Sequence, residues 1–517
     1  MKKLKLVCVA IAMACATPTL AGGLLTNTNQ HVAFDRMMSR EASIGIDGVY
    51  YNPAGVVFMS EGHHLAINWQ LAFQTRTINN DYALFTNNVN NPITPRDFKG
   101  TAFAPVIPSF QYAYNKGKWS FQASFALTGG GGKCTFDDGL GSFEKIVAET
   151  AMAACQLAGA VDQVAGAYGV PAIFSSNQVF GTEGKYSYNS YMHGRQYYYG
   201  LSAGAAYKFS DNFSAFLGVR GVYALTNYYG YVENIQVGQM PLYKVLNPAK
   251  ESSANIELSC DQSGVGFTPI IGVDFKTGKW NFAAKYEFKT RIRLKNKSVN
   301  QIPSIGNLPD NLRNAYIANG VPEAAADAIL SNPKIQGAMV TLKTQFDSKI
   351  DGAIGEYEDG KKIAGDIPAY LALGVGYSPV DAVRVNIGFH WFDDKNATSY
   401  NNRNKELKRG TLEYNAGVEV DVNKKITLST GWQNTNYGLS DEYMDDKSFV
   451  VSSNSVAVGG VYHINKKMDL NVAYFHTFYQ HKKTTETVQL TADRSLNYSS
   501  DYTRNNNVFA VGLDINF

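Results

Sequence analysis

Three groups of residues have the types and spacing that chemistry requires. Gly200-Leu201-Ser202-Ala203-Gly204 matches the string that lifts a nucleophilic serine onto a sharp strand-to-helix turn. The residues around it, Tyr197 to Phe209, alternate as a strand does, so the serine has no elbow and the match fails on context. His63-His64 is a metal-type pair, but no third ligand stands at a recognisable spacing, and two histidines at a strand start suit a membrane interface. The third group is charged: Arg220, Asp274, Lys285, Glu287, Arg384, His390, Glu413 and Glu419 each fall on the polar face of an alternating stretch. Such residues either pair with one another or offer charge to a ligand. No phosphate loop, zinc spacing or carboxylate pair in a defined neighbourhood accompanies them. The expectation is a protein without a catalytic site, metal or cofactor.

The elements that carry these residues are strands. Phe509, Val511, Leu513, Ile515 and Phe517 share one face of the last ten residues; Val508, Ala510, Gly512, Asp514 and Asn516 share the other. A period of two marks a strand between two different surroundings, and about ten residues is the length of a tilted membrane-spanning strand. The pattern recurs, as in Leu65 to Phe73, Trp119 to Leu127 and Leu412 to Val420. Very short polar turns join alternate pairs of strands, at residues 115–118, 210–212, 276–279, 378–381, 423–425 and 465–467. The other connections are long, notably 129–185, 230–261, 297–365 and 393–407. Short turns at one end and long loops at the other distinguish a transmembrane barrel from a soluble sandwich. Six short turns and seven long connections give fourteen antiparallel strands with both chain ends in the periplasm.

Composition agrees with that reading. Charged residues are 18% of the chain, below the roughly 25% of soluble domains, and aromatics are 13%, as interfacial girdles require. A net charge of +3 gives no argument for nucleic acid. No apolar run beyond the N-terminus reaches the roughly 18 residues of a membrane helix, so a span must be a closed sheet. Three units follow: a secretory leader over 1–21, with Lys2, Lys3 and Lys5 before an apolar run; a segment over 22–62; and a barrel over 63–517. The leader removes Cys8 and Cys15. Cys134 and Cys155 then form a candidate disulfide in an oxidising compartment, with Cys260 left over. Residues 142–169 and 309–350 carry helical patterns in long outer loops, read either as a self-packed cap or as an apolar landing site.

The segment before the barrel is too long for a lead-in and too poor in alternation to span, so it plugs the lumen. Within it, Ser43-Ile44-Gly45-Ile46-Asp47-Gly48-Val49-Tyr50-Tyr51-Asn52-Pro53-Ala54-Gly55 resembles the N-terminal hatch of the FadL-type long-chain fatty acid transporters. Asn52, Pro53 and Ala54 match the motif directly, and the strand number and terminal Phe517 extend the resemblance over the mature chain. The resemblance implies a monomer in the outer membrane of a Gram-negative bacterium, surrounded by lipid, that passes hydrophobic small molecules, with fatty acids as the default. Ligand would be caught between outer loops, held above the hatch and released sideways through a kink in the third strand. Gly129, Gly130, Gly131 and Gly132 are the candidate kink, read equally as the start of the loop. Arg220, Lys285 and Arg384 are the candidate partners of a ligand carboxylate. The helical loops follow strands three and seven, whereas that family's capture loops follow strands five and seven. A polar-solute porin and a surface adhesin on a barrel anchor are the competing functions.

Overall fold

A computed structural model describes residues 24–303, 307–491 and 494–517; the expected leader lies outside the described residues. Among these, fourteen antiparallel strands close into a barrel. They are β1 (Gly62–Tyr82), β2 (Arg96–Lys116), β3 (Trp119–Phe136), β4 (Tyr186–Lys208), β5 (Phe213–Val237), β6 (Ile256–Thr277), β7 (Trp280–Glu287 and Arg293–Gln301), β8 (Lys362–Ala364 and Tyr370–Val380), β9 (Val383–Phe392), β10 (Thr411–Asn423), β11 (Ile426–Asn436), β12 (Ser453–Asn465), β13 (Met468–Tyr479 and Lys482–Thr491) and β14 (Arg494–Asn516). The seam is a continuous β1–β14 ladder from His64↔Asn516 to Tyr82↔Tyr498.

The period-two pattern resolves into an apolar outside and a polar inside. Leu217 and Phe267 are 68% and 70% exposed, while Phe216 and Thr268 beside them are buried. An exposed apolar belt of this kind cannot face water and is the lipid surface of an outer-membrane-type barrel. Aromatic side chains ring its turn end, with Trp119 against Tyr207 at 4.7 Å and Trp280 against Tyr377 at 4.3 Å. No helix among the described residues is long and apolar enough to cross a membrane.

All six short turns lie where the sequence puts them. At the other end the strands run further than their alternation suggested: β3 reaches Phe136, β5 reaches Val237 and β7 reaches Gln301. Above the lipid the outer face meets water, so apolar contrast between the faces fades although the ladder continues. The helical patterns become α3 (Gly141–Gly166), α5 (Leu308–Ala318), α6 (Glu323–Leu330) and α7 (Pro333–Ile354), with Pro322 capping α6 and Pro333 opening α7. A short helix, α4 (Tyr243–Leu246), adds to the β5–β6 loop; four residues are too few to show a period.

The disulfide expectation is corrected: Cys134, Cys155 and Cys260 are all buried free thiols. Cys134 sits within β3 opposite Gly194, whereas Cys155 lies on α3 and contacts the Phe180 carbonyl at 3.5 Å. Each fills apolar space as a small hydrophobe.

Candidate functional site: lumen, side window and outer mouth

Residues 24–61 occupy the lumen, with α1 (Val32–Met37), α2 (Gly48–Tyr51) and a 3-10 turn at Gly55–Phe58 as their regular pieces among the described residues. Polar side chains on the barrel's inner face bind the segment on nearly every side. Asn29 donates to Gln70 on β1, the Gln30 carbonyl accepts from Ser109 and Gln111 on β2, and the Ala54 carbonyl accepts from Ser214 on β5. Opposite, Arg36 pairs with Glu419 and donates to Asn471, and His31 meets Asp514 at 3.2 Å. His390 lies between Glu41 of the segment, at 2.7 Å, and Glu413 of the wall, at 2.8 Å. Buried charges need such partners, and these supply them.

The Asn-Pro-Ala motif has a clear local role. The Asn52 amide donates to Asp274 at 2.6 Å while its oxygen accepts from Gly55 N–H, so one side chain closes a turn and ties it to β6. A Cβ on Gly55 would lie 2.3 Å from that amide, so the turn requires glycine there. The Pro53 carbonyl accepts from Gln122, and Ala54 is fully buried.

The cations expected to meet a ligand carboxylate already hold protein acids. Arg220 grips Glu287 with two hydrogen bonds at 2.6 and 3.0 Å, Lys285 joins the same Glu287 at 3.0 Å and donates to the Tyr50 carbonyl, and Arg384 binds Asp421 and Glu419. A different pair stands out. Arg76 and Arg504 are register partners across the seam, both buried and both pointing inward. Arg76 makes no ion pair among the described residues; its Nε donates to Gln74 and its Nη2 has no partner. Arg504 donates to the same Gln74 oxygen at 2.6 Å. Their guanidinium groups lie near the Phe449 and Tyr479 rings, at 5.9 and 5.3 Å. Like charges placed directly opposite in a buried site repel.

Apolar side chains lie on both sides of this pair. Toward the hatch, Phe34, Met38, Tyr50 and Tyr51 pack with Ala72, Val508, Ile107 and Leu127. Toward the mouth, Ile78, Phe449 and Tyr502 join the large cluster that runs through α3, α5 and α6. That cluster surrounds an apolar pocket of about 60 Å³ lined by Leu157, Val161, Phe174, Leu246, Leu312 and their neighbours. Loops after β3, β5 and β7 all contribute, so the loop after strand five takes part although its sequence shows no helical period.

Beside the inner cluster the wall opens. β2 pairs with β3 at Gly100–Ala102 and again at Phe110–Lys116, but residues 103–109 and 126–133 make no ladder with each other. β3 keeps its pairing with β4 through two bulges, at Leu127/Gly129 and Gly130/Gly132. Gly130 has φ +70°, and a Cβ there would lie 2.4 Å from the Gln196 carbonyl, so only glycine makes the bend. On the other rim Pro105 and Pro108 lack the N–H groups a ladder needs. The hatch covers the gap from within. Asn27 N–H donates to the Thr128 carbonyl, and its side-chain amide donates to the carbonyls of Leu127, at 3.2 Å, and Gly130, at 2.7 Å. Tyr197 and Tyr199 pack against the inner cluster at this rim.

The barrel fold has counterparts among solved structures. The chain superposes on a FadL homologue from Pseudomonas aeruginosa with a TM-score of 0.59 at 14% identity, covering 96% of this chain and 100% of that one. The fold is that of a FadL-type barrel. A TodX deltaS2S3 mutant, a monoaromatic hydrocarbon channel, gives a TM-score of 0.52 at 13% identity, covering 94% of this chain and 99% of that one. No family model and no curated protein matches the sequence.

Of the remaining sequence candidates, Ser202 lies mid-strand and accepts from Arg220, and the histidine pair serves the seam. His63 contacts Tyr112 and stacks on Phe517 at 5.3 Å, while His64 contacts Asn516. Arg76, Arg504 and Asn27 escaped the sequence reading. An inward Arg76 beside Gln74 was visible in the alternation; that it faces a second arginine depends on a register closed only by the last strand. The two prolines inside an alternating stretch were a legible sign of a broken ladder.

Proposed function

We propose that this protein is a passive outer-membrane channel for anionic amphiphiles, with long-chain fatty acids as the ligand. The observation that carries the reading is the buried Arg76–Arg504 pair set between two apolar clusters. A carboxylate between the guanidiniums would relieve their repulsion through charge-assisted hydrogen bonds, while an acyl chain lies in the apolar space beside them. The outer pocket suits first capture of the chain. The 24–61 segment acts as a hatch that keeps the lumen closed to ions, and its Asn27 contacts hold the side window shut. Release of those contacts lets ligand pass between β2 and β3 into the bilayer. Lys285 ties the hatch to the wall, Arg220 and Arg384 brace wall strands against each other, and none of the three binds ligand in this reading. Solved barrels of the same fold include a monoaromatic hydrocarbon channel, so an uncharged ligand is the alternative to exclude.

The test is native mass spectrometry of the mild-detergent protein titrated with oleate, methyl oleate and toluene, alongside uptake into proteoliposomes. Oleate should bind most tightly and be taken up without an energy source. Preference for toluene would transfer the reading to hydrocarbons, and no uptake of any of the three would sink it. Deleting residues 22–61 should raise ion conductance in planar bilayers.

A further inference from the structure

The outer surface of β7 carries a feature that transport does not use. After Glu287 the strand makes a bulge, and its faces exchange: Glu287 points inward, yet so do Thr290, Ile292, Leu294 and Asn296. The intervening residues are Lys289, Arg291, Arg293, Lys295 and Lys297, so five successive outward positions are basic. Arg291, Arg293, Lys295 and Lys297 are exposed, and Lys362 on β8 is the register partner of Lys295. Arg293 meets Asp366 at 2.9 Å, and Lys289 reaches Asp366 at 3.8 Å and the Asn396 carbonyl at 3.0 Å. Arg291, Lys295, Lys297 and Lys362 make no ion pair among the described residues.

The lower rungs stand beside the top of the lipid belt and the upper ones rise past it. Phe282 on β7 and Phe288 at its bulge are exposed aromatics below the ladder, and on β6 the exposed Val265 and Phe267 lie just below Ser263, the partner of Lys295. Lys295 and Lys362 directly opposite each other repel unless an anion lies between them. From Lys289 to Lys297, eight steps of about 3.3 Å tilted by about 40° separate the lowest and highest rungs by about 20 Å. A glycerophospholipid keeps its phosphates in one layer. Lipopolysaccharide, the outer-leaflet lipid of such a membrane, carries phosphates on its glucosamine headgroup and higher on its inner-core sugars.

We infer that the basic ladder of β7, with Lys362, binds the phosphorylated saccharide headgroup of lipopolysaccharide. It would fix lipid against the wall beneath the capture loops, at a site separate from the lumen.

The experiment uses the whole protein in mild detergent, titrated with lipopolysaccharide that ends at its phosphorylated inner core, with lipid A and with phosphatidylglycerol, and read by native mass spectrometry. The R291Q/K295Q/K297Q/K362Q variant is compared with the wild type. At about five-fold per charge near a membrane surface, the variant should bind the inner-core lipopolysaccharide several-hundred-fold more weakly, with oleate binding unchanged. Lipid A, which lacks the core phosphates, should bind the wild type more weakly than the inner-core form. Equal lipopolysaccharide binding by variant and wild type would overturn the inference. So would phosphatidylglycerol binding as tightly as lipopolysaccharide, which would mark a general anion attraction. Should the fourfold variant fail the heat-dependent gel shift of a folded barrel, K295Q and K297Q singly should each lose about five-fold, and no loss in either is again a refutation.

Discussion

Replacing Arg76 by leucine separates the ligand's headgroup from its chain. Arg76 is 1% exposed, donates only to Gln74, at 3.2 Å, among the described residues and has an unpartnered Nη2. In the empty protein, leucine gives up one long hydrogen bond and relieves an unpaired buried cation that faces Arg504, so the barrel should melt no lower than the wild type. With ligand present, it gives up a hydrogen bond between charged groups, worth about 1.5–3 kcal/mol, or roughly ten- to hundred-fold in affinity. The assay is calorimetric titration with oleate and with methyl oleate at pH 7.5, beside thermal melting. Oleate should weaken by that factor, and methyl oleate should not. Equal losses for acid and ester would mean that the arginine only shapes the cavity. Wild-type oleate affinity would remove the carboxylate site altogether.

Asn27→Ala removes two donors to buried carbonyls, about 2 kcal/mol of hatch docking, and Asn27→Asp adds repulsion from a carboxylate facing those oxygens. Release of ligand into vesicles should quicken in the order wild type, alanine, aspartate; the reverse order for the two variants would refute the latch. Leu312→Arg places a charge in the outer pocket and should slow uptake about tenfold at low oleate while leaving the saturated rate intact. A fall in the saturated rate alone would deny that pocket a capture role. Asp394, in the β9–β10 connection, accepts from Leu24 N–H and Thr411 N–H, and burial pushes its pKa from 3.8 up to about 6. A carboxyl raised in the folded state contributes stability below the unfolded pKa that is lost as pH rises through the folded one. Melting temperature should therefore fall between pH 4 and 6 from this group, and Asp394→Asn should flatten that slope.

The barrel was legible because each strand repeats a two-residue contrast between lipid and lumen, and because turn chemistry sorts cleanly to one end. Asn115 to Lys118 and Lys276 to Lys279 are visible as tight turns without any knowledge of their partners. The contrast disappears where β5 and β7 rise above the lipid, and it inverts after Glu287, since a single bulge exchanges every later side chain between the faces. Site residues were harder to read because they depend on distance in space. Arg220, Lys285 and Arg384 were correctly placed indoors by parity. Whether a buried cation is taken depends on a neighbour such as Glu287 or Asp421, which sequence spacing alone does not assign. Cys134 and Cys155 show the same limit: twenty-one residues apart, they sit on a strand and a helix that present them to different neighbours.

The seam between β1 and β14 constrains the order of assembly. The hatch enters β1 directly, yet it contacts Asn471 on β13 and Asp514 on β14, more than four hundred residues further along the chain. Its bonding cannot be complete until the final strand has come home. The cork gains its last bonds as the outermost staves meet, and the stacking of Phe517 on His63 closes the hoop around it.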